Sequence, residues 1–159
     1  MKFNLDLIQT DEDRKKESNF ERTCTIIVSN SLPKISIQLP SNYGGLLDEN
    51  NNNLTYTPED MYLAAITGCF FTTFSVVSQN SNLHYETIKI SSTGIIDVID
   101  DVKMVTEISM NITLTLPKGM EKNKEKAMKV LDITEKRCPI GNSVKTKIKN
   151  TYTLNFSNS

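Results

Sequence analysis

Apolar positions recur along this chain with two different periods, and the alternation between them sets out the elements. Phe3, Leu5 and Leu7 alternate with polar residues, as a short half-buried strand requires. Residues 23–29 are rich in β-branched side chains, and Ile35, Ile37 and Leu39 alternate cleanly. With SNSLP between them as a turn, the pair predicts a hairpin. Tyr43-Gly44-Gly45 and the asparagines at 50–53 then form a loop. Residues 57–80, TPEDMYLAAITGCFFTTFSVVSQN, carry a different signal. Thr57 suits an N-cap and Pro58 the first helical position, and Glu59 and Asp60 place acid in the first turn, where the helix dipole favours it. Asp60 stands three residues after Thr57, as in a capping box. From Leu63 to Val77 nearly every face is apolar or small, which predicts a central rod roughly 35 Å long, buried all round. Thr67, Thr72, Thr73 and Ser75 interrupt the run, which argues against a membrane span.

Two long strands follow at 85–98 and 104–116, joined by the acidic turn 97–101. The second keeps period two through Val105, Ile108, Met110, Ile112, Leu114 and Leu116. Pro117-Lys118-Gly119 ends it. Residues 120–137 predict a second helix with Ala127, Val130, Leu131 and Ile133 or Thr134 inward and lysines and glutamates outward. It stops at Cys138 because Pro139 forces the preceding residue out of helical geometry. A short helical turn over IGNSVK and a strand at 146–156 close the chain. The predicted order is β-β-β-α-β-β-α-β, an α+β domain with mainly antiparallel strands. The central helix is too apolar for a monomer surface, so a second copy in a homodimer is expected to cover it.

Length and charge narrow the function. A chain of 159 residues suits one domain over 1–159, with flexible loops at 11–18 and 48–53. The formal net charge of -1 gives no basic footprint for nucleic acid or an anionic membrane. The start, MKFNLDLIQTDEDRKK, has no apolar signal-peptide core, so a cytoplasmic protein is expected. Three cysteines far apart do not form a secreted disulfide framework. One histidine and no CxxC pair leave a structural zinc site without ligands. Thiol chemistry is the main option that remains. Cys138 opens RCPIGNS at the start of a helical turn, beside Arg137, where free N–H groups and a cation favour the thiolate. Cys69, in an apolar helix, would be inert unless a cation reached it. From composition alone, both read more readily as small buried hydrophobes.

The two cysteine motifs together change that balance. TPEDMYLAAITGCFFTTF, followed by a helix ending in KRCPIGNSVKTKI, resembles the OsmC/Ohr family of osmotically induced and organic-hydroperoxide-resistance proteins, over residues 20–156. The resemblance implies an intertwined homodimer and a thiol peroxidase for organic hydroperoxides, needing no metal or other cofactor. It makes Cys69 the peroxidatic nucleophile and Cys138 the resolving thiol that forms a disulfide with it, which a dithiol or lipoyl-type reductant then reduces. Phe70, Phe71 and Phe74 would form a greasy pocket or simply pack in the core. The family pairs its glutamate, here Glu59, with an arginine that lowers the thiol pKa. Arg22 in NFERTC is the nearest match and Arg14 the second, although the glycine-rich turn that carries the arginine in the peroxidase branch is missing. Glu59 and Cys69 are ten residues apart, roughly 15 Å along one helix, so Glu59 is expected to serve Cys69 of the other subunit. TPED and CFFTTF look closer to the OsmC-like branch. The rival is therefore a non-catalytic OsmC-like dimer that binds a small molecule or lipid, or senses redox state. A third reading is a structural dimer with inert cysteines. Cys24 is read as a packed strand thiol and His84 as a strand-end residue.

Overall fold

A computed structural model of the protein describes residues 5–8, 24–28 and 31–157. Phe3, Arg14, Arg22 and the charged loop 11–18 lie outside the described residues. The chain forms two compact units, residues 1–62 and 63–159.

In the first unit, β1 (Asp6–Ile8), β2 (Cys24–Ile27) and β3 (Ile35–Ile37) form an antiparallel sheet in that order, with Ile26 opposite both Leu7 and Ile35. The predicted hairpin is β2–β3, and Cys24 is half-buried at the start of β2. Beyond β3, Gln38 ties the returning loop: its N–H donates to Tyr56 O at 2.8 Å and its Nε2 to Leu46 O at 2.9 Å. Gly45 passes so close to Leu39 that a Cβ would lie 1.8 Å from the carbonyl oxygen, so only glycine fits there. The 48–53 loop is closed by Asp48, whose Oδ1 accepts the N–H groups of Asn50 and Asn52 at 2.9 and 2.8 Å.

Helix α1 (Pro58–Asn80) begins with a reciprocal cap. Asp60 N–H donates to Thr57 Oγ1 at 3.2 Å, while Thr57 N–H and Oγ1–H donate to Asp60 Oδ2 at 2.9 and 2.8 Å. Aspartate thus performs the part that glutamate usually takes in this box.

The second unit contains the rest of α1, β4 (Thr87–Ile99), β5 (Val102–Leu116), α2 (Lys124–Arg137) and β6 (Lys147–Phe156). Its sheet order is β4-β5-β6. β4 and β5 are antiparallel, turning through Asp100 and Asp101 at φ 50° and 63°. β5 and β6 are parallel, so the sheet is mixed rather than wholly antiparallel, because the chain crosses over through α2 before returning as β6. Alternation divides this sheet into a wet and a dry face. Ile108, Met110, Ile112, Leu114 and Leu116 of β5 are at most 2% exposed, and the register sets Ser92, Met110 and Asn150 in one row across the dry face. Lysines, serines and threonines hold the other face.

Helix α2 contributes Ala127, Val130, Leu131 and Thr134 to the core, and of the two alternatives at the next inward position Thr134 is the buried one. Its hydroxyl donates to Val130 O at 2.7 Å, which satisfies it internally. Helix α1 is not buried all round. Ile66, Phe70, Phe74 and Val77 form one buried stripe, and Phe74 packs edge-on against Tyr85 at 5.1 Å. Ala64, Ala65, Gly68, Phe71, Thr72 and Val76 remain exposed within this chain. By length and hydropathy the helix is long enough to cross a membrane, but that stripe and the 2.8 Å hydrogen bond between Thr67 Oγ1 and Ser92 Oγ pack it onto a sheet.

Thr57→Ala removes the hydroxyl that both donates and accepts in the cap. It is expected to lower stability by about 1–2 kcal/mol in urea unfolding, with Thr57→Ser keeping most of the loss back. An unchanged midpoint in Thr57→Ala would show that the box does not hold the helix start.

Candidate active site: two thiols and a cavity

The site is assembled at the C-terminus of α2. Cys138 leaves helical geometry, with φ −66° and ψ 110°, as its position before Pro139 dictates. The turn that follows is fastened by two side chains. Asn142 Nδ2 donates to Cys138 O at 2.8 Å and to Lys136 O at 3.2 Å, satisfying carbonyls the helix end leaves without partners. Ser143 Oγ donates to Pro139 O at 2.8 Å. The asparagine and serine of CPIGNS therefore hold the turn rather than the chemistry. The helical turn itself is a single 3₁₀ turn, Gly141–Ser143.

This turn meets α1 at Cys69. The Ile140 N–H points at Cys69 Sγ, with 3.5 Å between the heavy atoms, and the Cys69 and Cys138 thiols lie close enough to influence each other's charge. Cys69 is half-buried on the flank of the α1 stripe, between buried Phe70 and exposed Gly68. Cys138 is 4% exposed. Residues 69 positions apart in sequence thus share one site.

Their environments differ. Burial pushes the Cys138 thiol up to about 11, and a hydrogen bond and negative charge from Cys69 add to this; the N–H groups of Gly141 and Ile140 offset only part. The expectation that those amides and Arg137 would make Cys138 a ready thiolate is overturned. Desolvation is the larger effect, and Arg137 is exposed.

Beside Cys138 lies a cavity of about 130 Å³, walled by Ile66, Phe70, Met110 and Ile148 on its apolar sides and by Glu135, Asn142 and Asn150 on its polar ones. Glu135 is held by Tyr152, whose hydroxyl donates to Glu135 Oε2 at 2.6 Å. Burial, then this carboxylate, raises the phenol above its ordinary range. Of the three phenylalanines, Phe70 lines the cavity, Phe74 is fully buried against Tyr85, and Phe71 is 44% exposed. Glu59 stands ten residues from Cys69 on the same unbroken helix, so α1 separates them by roughly 15 Å. Its Oε2 is buried with no hydrogen-bond partner among the described residues. Arg22 and Arg14 lie outside those residues. His84 is exposed just before β4. Among the described residues no three histidine, cysteine or acidic side chains converge as a metal site requires.

The sequence of the OsmC-like protein family matches residues 50–153 of this chain. The chain belongs to that family. Solved structures place its whole α+β architecture there too. An OsmC-like protein of unknown function from Vibrio cholerae superposes with a TM-score of 0.79 at 15% identity, covering 96% of this chain and 99% of that one. An OsmC-like protein from Mycoplasma pneumoniae gives 0.72 at 16%, with 98% of each chain covered. An organic hydroperoxide resistance protein from Elizabethkingia anophelis gives 0.68 at 15%, with 99% of each covered. No curated protein matches in sequence. These identities establish the shared OsmC-like fold. Of the cavity wall, sequence reasoning named Phe70 and Cys138 and missed Ile66, Met110, Glu135, Asn142, Ile148 and Asn150. Asn150 carried a signal, because it breaks the inward alternation Ile148, Tyr152, Leu154 of β6.

Because burial and Cys69 favour the protonated thiol, the folded protein holds the Cys138 proton to about pH 11, whereas an ordinary thiol releases it near 9.0. The stability this contributes is complete below pH 9 and lost as pH rises through 11. Site-resolved iodoacetamide labelling of the reduced protein should therefore rise about tenfold per pH unit at Cys138 between pH 7 and 10. A plateau below pH 9 would contradict it.

Proposed function

We propose that this protein is a homodimeric thiol peroxidase that reduces organic hydroperoxides through Cys69. The observation that carries the reading is the approach of the Cys138 turn to Cys69, with the Ile140 N–H 3.5 Å from the Cys69 sulfur and the two thiols near enough to interact. The Cys69 thiolate attacks one peroxide oxygen; the O–O bond breaks, the alcohol leaves with a proton, and Cys69 becomes a sulfenic acid. Cys138 then attacks that sulfur. Its proton leaves with the hydroxyl as water, and a Cys69–Cys138 disulfide remains. An external dithiol of lipoyl type restores both thiols.

The homodimer is supported by the exposed face of α1. Alanines, a glycine, Phe71 and Val76 form a surface that a second copy of the helix would cover closely. In such a dimer Phe71 would join Phe70 in walling the peroxide's alkyl group. Glu59 calls for a cation at its unpartnered buried oxygen. Arg22 is the proposed one, with the pair brought to Cys69 from the partner subunit to stabilise the thiolate. The organic hydroperoxide resistance proteins among the structural neighbours share this fold and support the substrate class. A cytoplasmic setting, where thiols stay reduced, suits the cycle. The cavity beside the thiols supports a second reading, an OsmC-like dimer that binds a small molecule or senses oxidants without turnover.

Intact mass with thiol trapping decides between them. One equivalent of cumene hydroperoxide should remove two hydrogens from the wild type within seconds. Neither Cys69→Ser nor Cys138→Ser should do this, and a trappable sulfenic acid should appear at Cys69 only in Cys138→Ser. No oxidation of Cys69 within minutes would leave the binding reading. Sedimentation should give twice the 17.9 kDa chain mass, and Val76→Glu, on a side chain 58% exposed in the single chain, should shift it toward monomer. A wild-type monomer would end the two-subunit site.

A further inference from the structure

The oxidised site has two sulfurs that a reductant could attack, and the structure treats them differently. Cys138 forms part of the wall of the 130 Å³ cavity; Cys69 does not. Gly141 lies over the Cys138 sulfur, and a Cβ there would sit 3.3 Å from Sγ and 3.6 Å from Ile148 Cδ1. Cys138 is only 4% exposed, so a side chain at position 141 would narrow what approach to its sulfur remains. Asn150 lines the cavity as well, and its buried Oδ1 has no hydrogen-bond partner among the described residues.

We propose that this cavity is the port of the reducing thiol: a slender, uncharged dithiol enters it and attacks Cys138 Sγ, expelling Cys69 as the thiolate. This rests on the proposed disulfide chemistry of the site. The incoming thiolate forms a sulfur–sulfur bond to Cys138 as the Cys69–Cys138 bond breaks, and Cys69 leaves with the electron pair. The second thiol of the reductant gives up its proton, closes an internal disulfide and expels the Cys138 sulfur, which takes that proton. Two electrons pass from the dithiol to the protein.

Size selects the reductant. At about 30 Å³ per water, the cavity holds roughly four, room for an alkyl thiol arm but not for the surface of a folded protein. Glu135 on the wall disfavours anionic thiols. The leaving groups agree with the direction of attack. Attack on Cys138 expels Cys69, whose sulfur receives the Ile140 N–H, a donor that favours the departing thiolate.

The test forms the disulfide with diamide, so that it stands apart from peroxide reactivity, and follows its reduction by dithiothreitol. Gly141→Ala should slow the second-order rate at least tenfold. Ile148→Val, which deletes the Cδ1 atom on the facing wall, should speed it at least twofold and serves alone if Gly141→Ala does not fold. Acid quenching during reduction by 2-mercaptoethanol, followed by peptide mapping, should place the mixed disulfide on Cys138. Unchanged rates in the folded variants, an adduct on Cys69, or no Cys69–Cys138 disulfide with diamide would each overturn the proposal. If diamide forms the disulfide and these preferences hold while cumene hydroperoxide does not react, the peroxidase reading fails and the port stands.

Discussion

The site depends on how α1 is rotated about its own axis, and a single apolar stripe sets that rotation. Ile66, Phe70 and Phe74 follow one another at four-residue steps, Val77 extends the line, and all four are buried. Each such side chain stabilises the packed orientation by about 1.5–3 kcal/mol relative to exposure. Cys69 sits one residue before Phe70, at the flank of the stripe, so its sulfur is turned toward the 138–141 turn without being swallowed by the core. A register change of one residue would carry it about 100° around the helix and out of reach of Ile140. The other half of the site is fixed independently: Pro139 ends α2, and Asn142 anchors the released carbonyls. Two elements specified by local rules meet because the inward row of β5 holds them over one sheet.

That same stripe leaves the opposite side of α1 open. A helix apolar around its whole circumference satisfies both an internal core and a contact with another molecule, and composition does not say which faces do which. The chain buries one stripe itself. The face it leaves exposed is small and apolar, with Ala64, Ala65 and Gly68 permitting close approach. A single long helix therefore supports both the thiol contact within the chain and the proposed dimer contact between chains.

Periodicity made the elements legible. The capped start of α1, the inward row of β5 and the core face of α2 all follow from spacing, with Thr134 rather than Ile133 at the buried position. The parallel pairing of β5 with β6 was not legible, because no local turn encodes it; it depends on a crossover through α2. Most of the cavity wall was invisible for a similar reason. Met110, Ile148 and Asn150 come from two strands that meet only through register, and Gly141 matters through an atom it lacks. The acidity of Cys138 was misread because its neighbours in sequence, Arg137 and the turn amides, argue for the thiolate, while burial by residues distant in sequence argues more strongly against it.

That weakened acidity bears on the order of events in the proposed cycle. While Cys69 is an anion, its charge and its hydrogen bond both help to keep Cys138 protonated. The resolving thiol is then held back, and Cys69 alone is free to meet a peroxide. Once Cys69 carries a neutral sulfenic acid, the charge that raised Cys138 is gone, and the Gly141 and Ile140 amides act against burial alone. Cys138 becomes easier to deprotonate at the moment its attack is needed. The two thiols, held in contact by the stripe and the turn, thus set their own sequence through charge: the first oxidation removes the electrostatic restraint on the second sulfur.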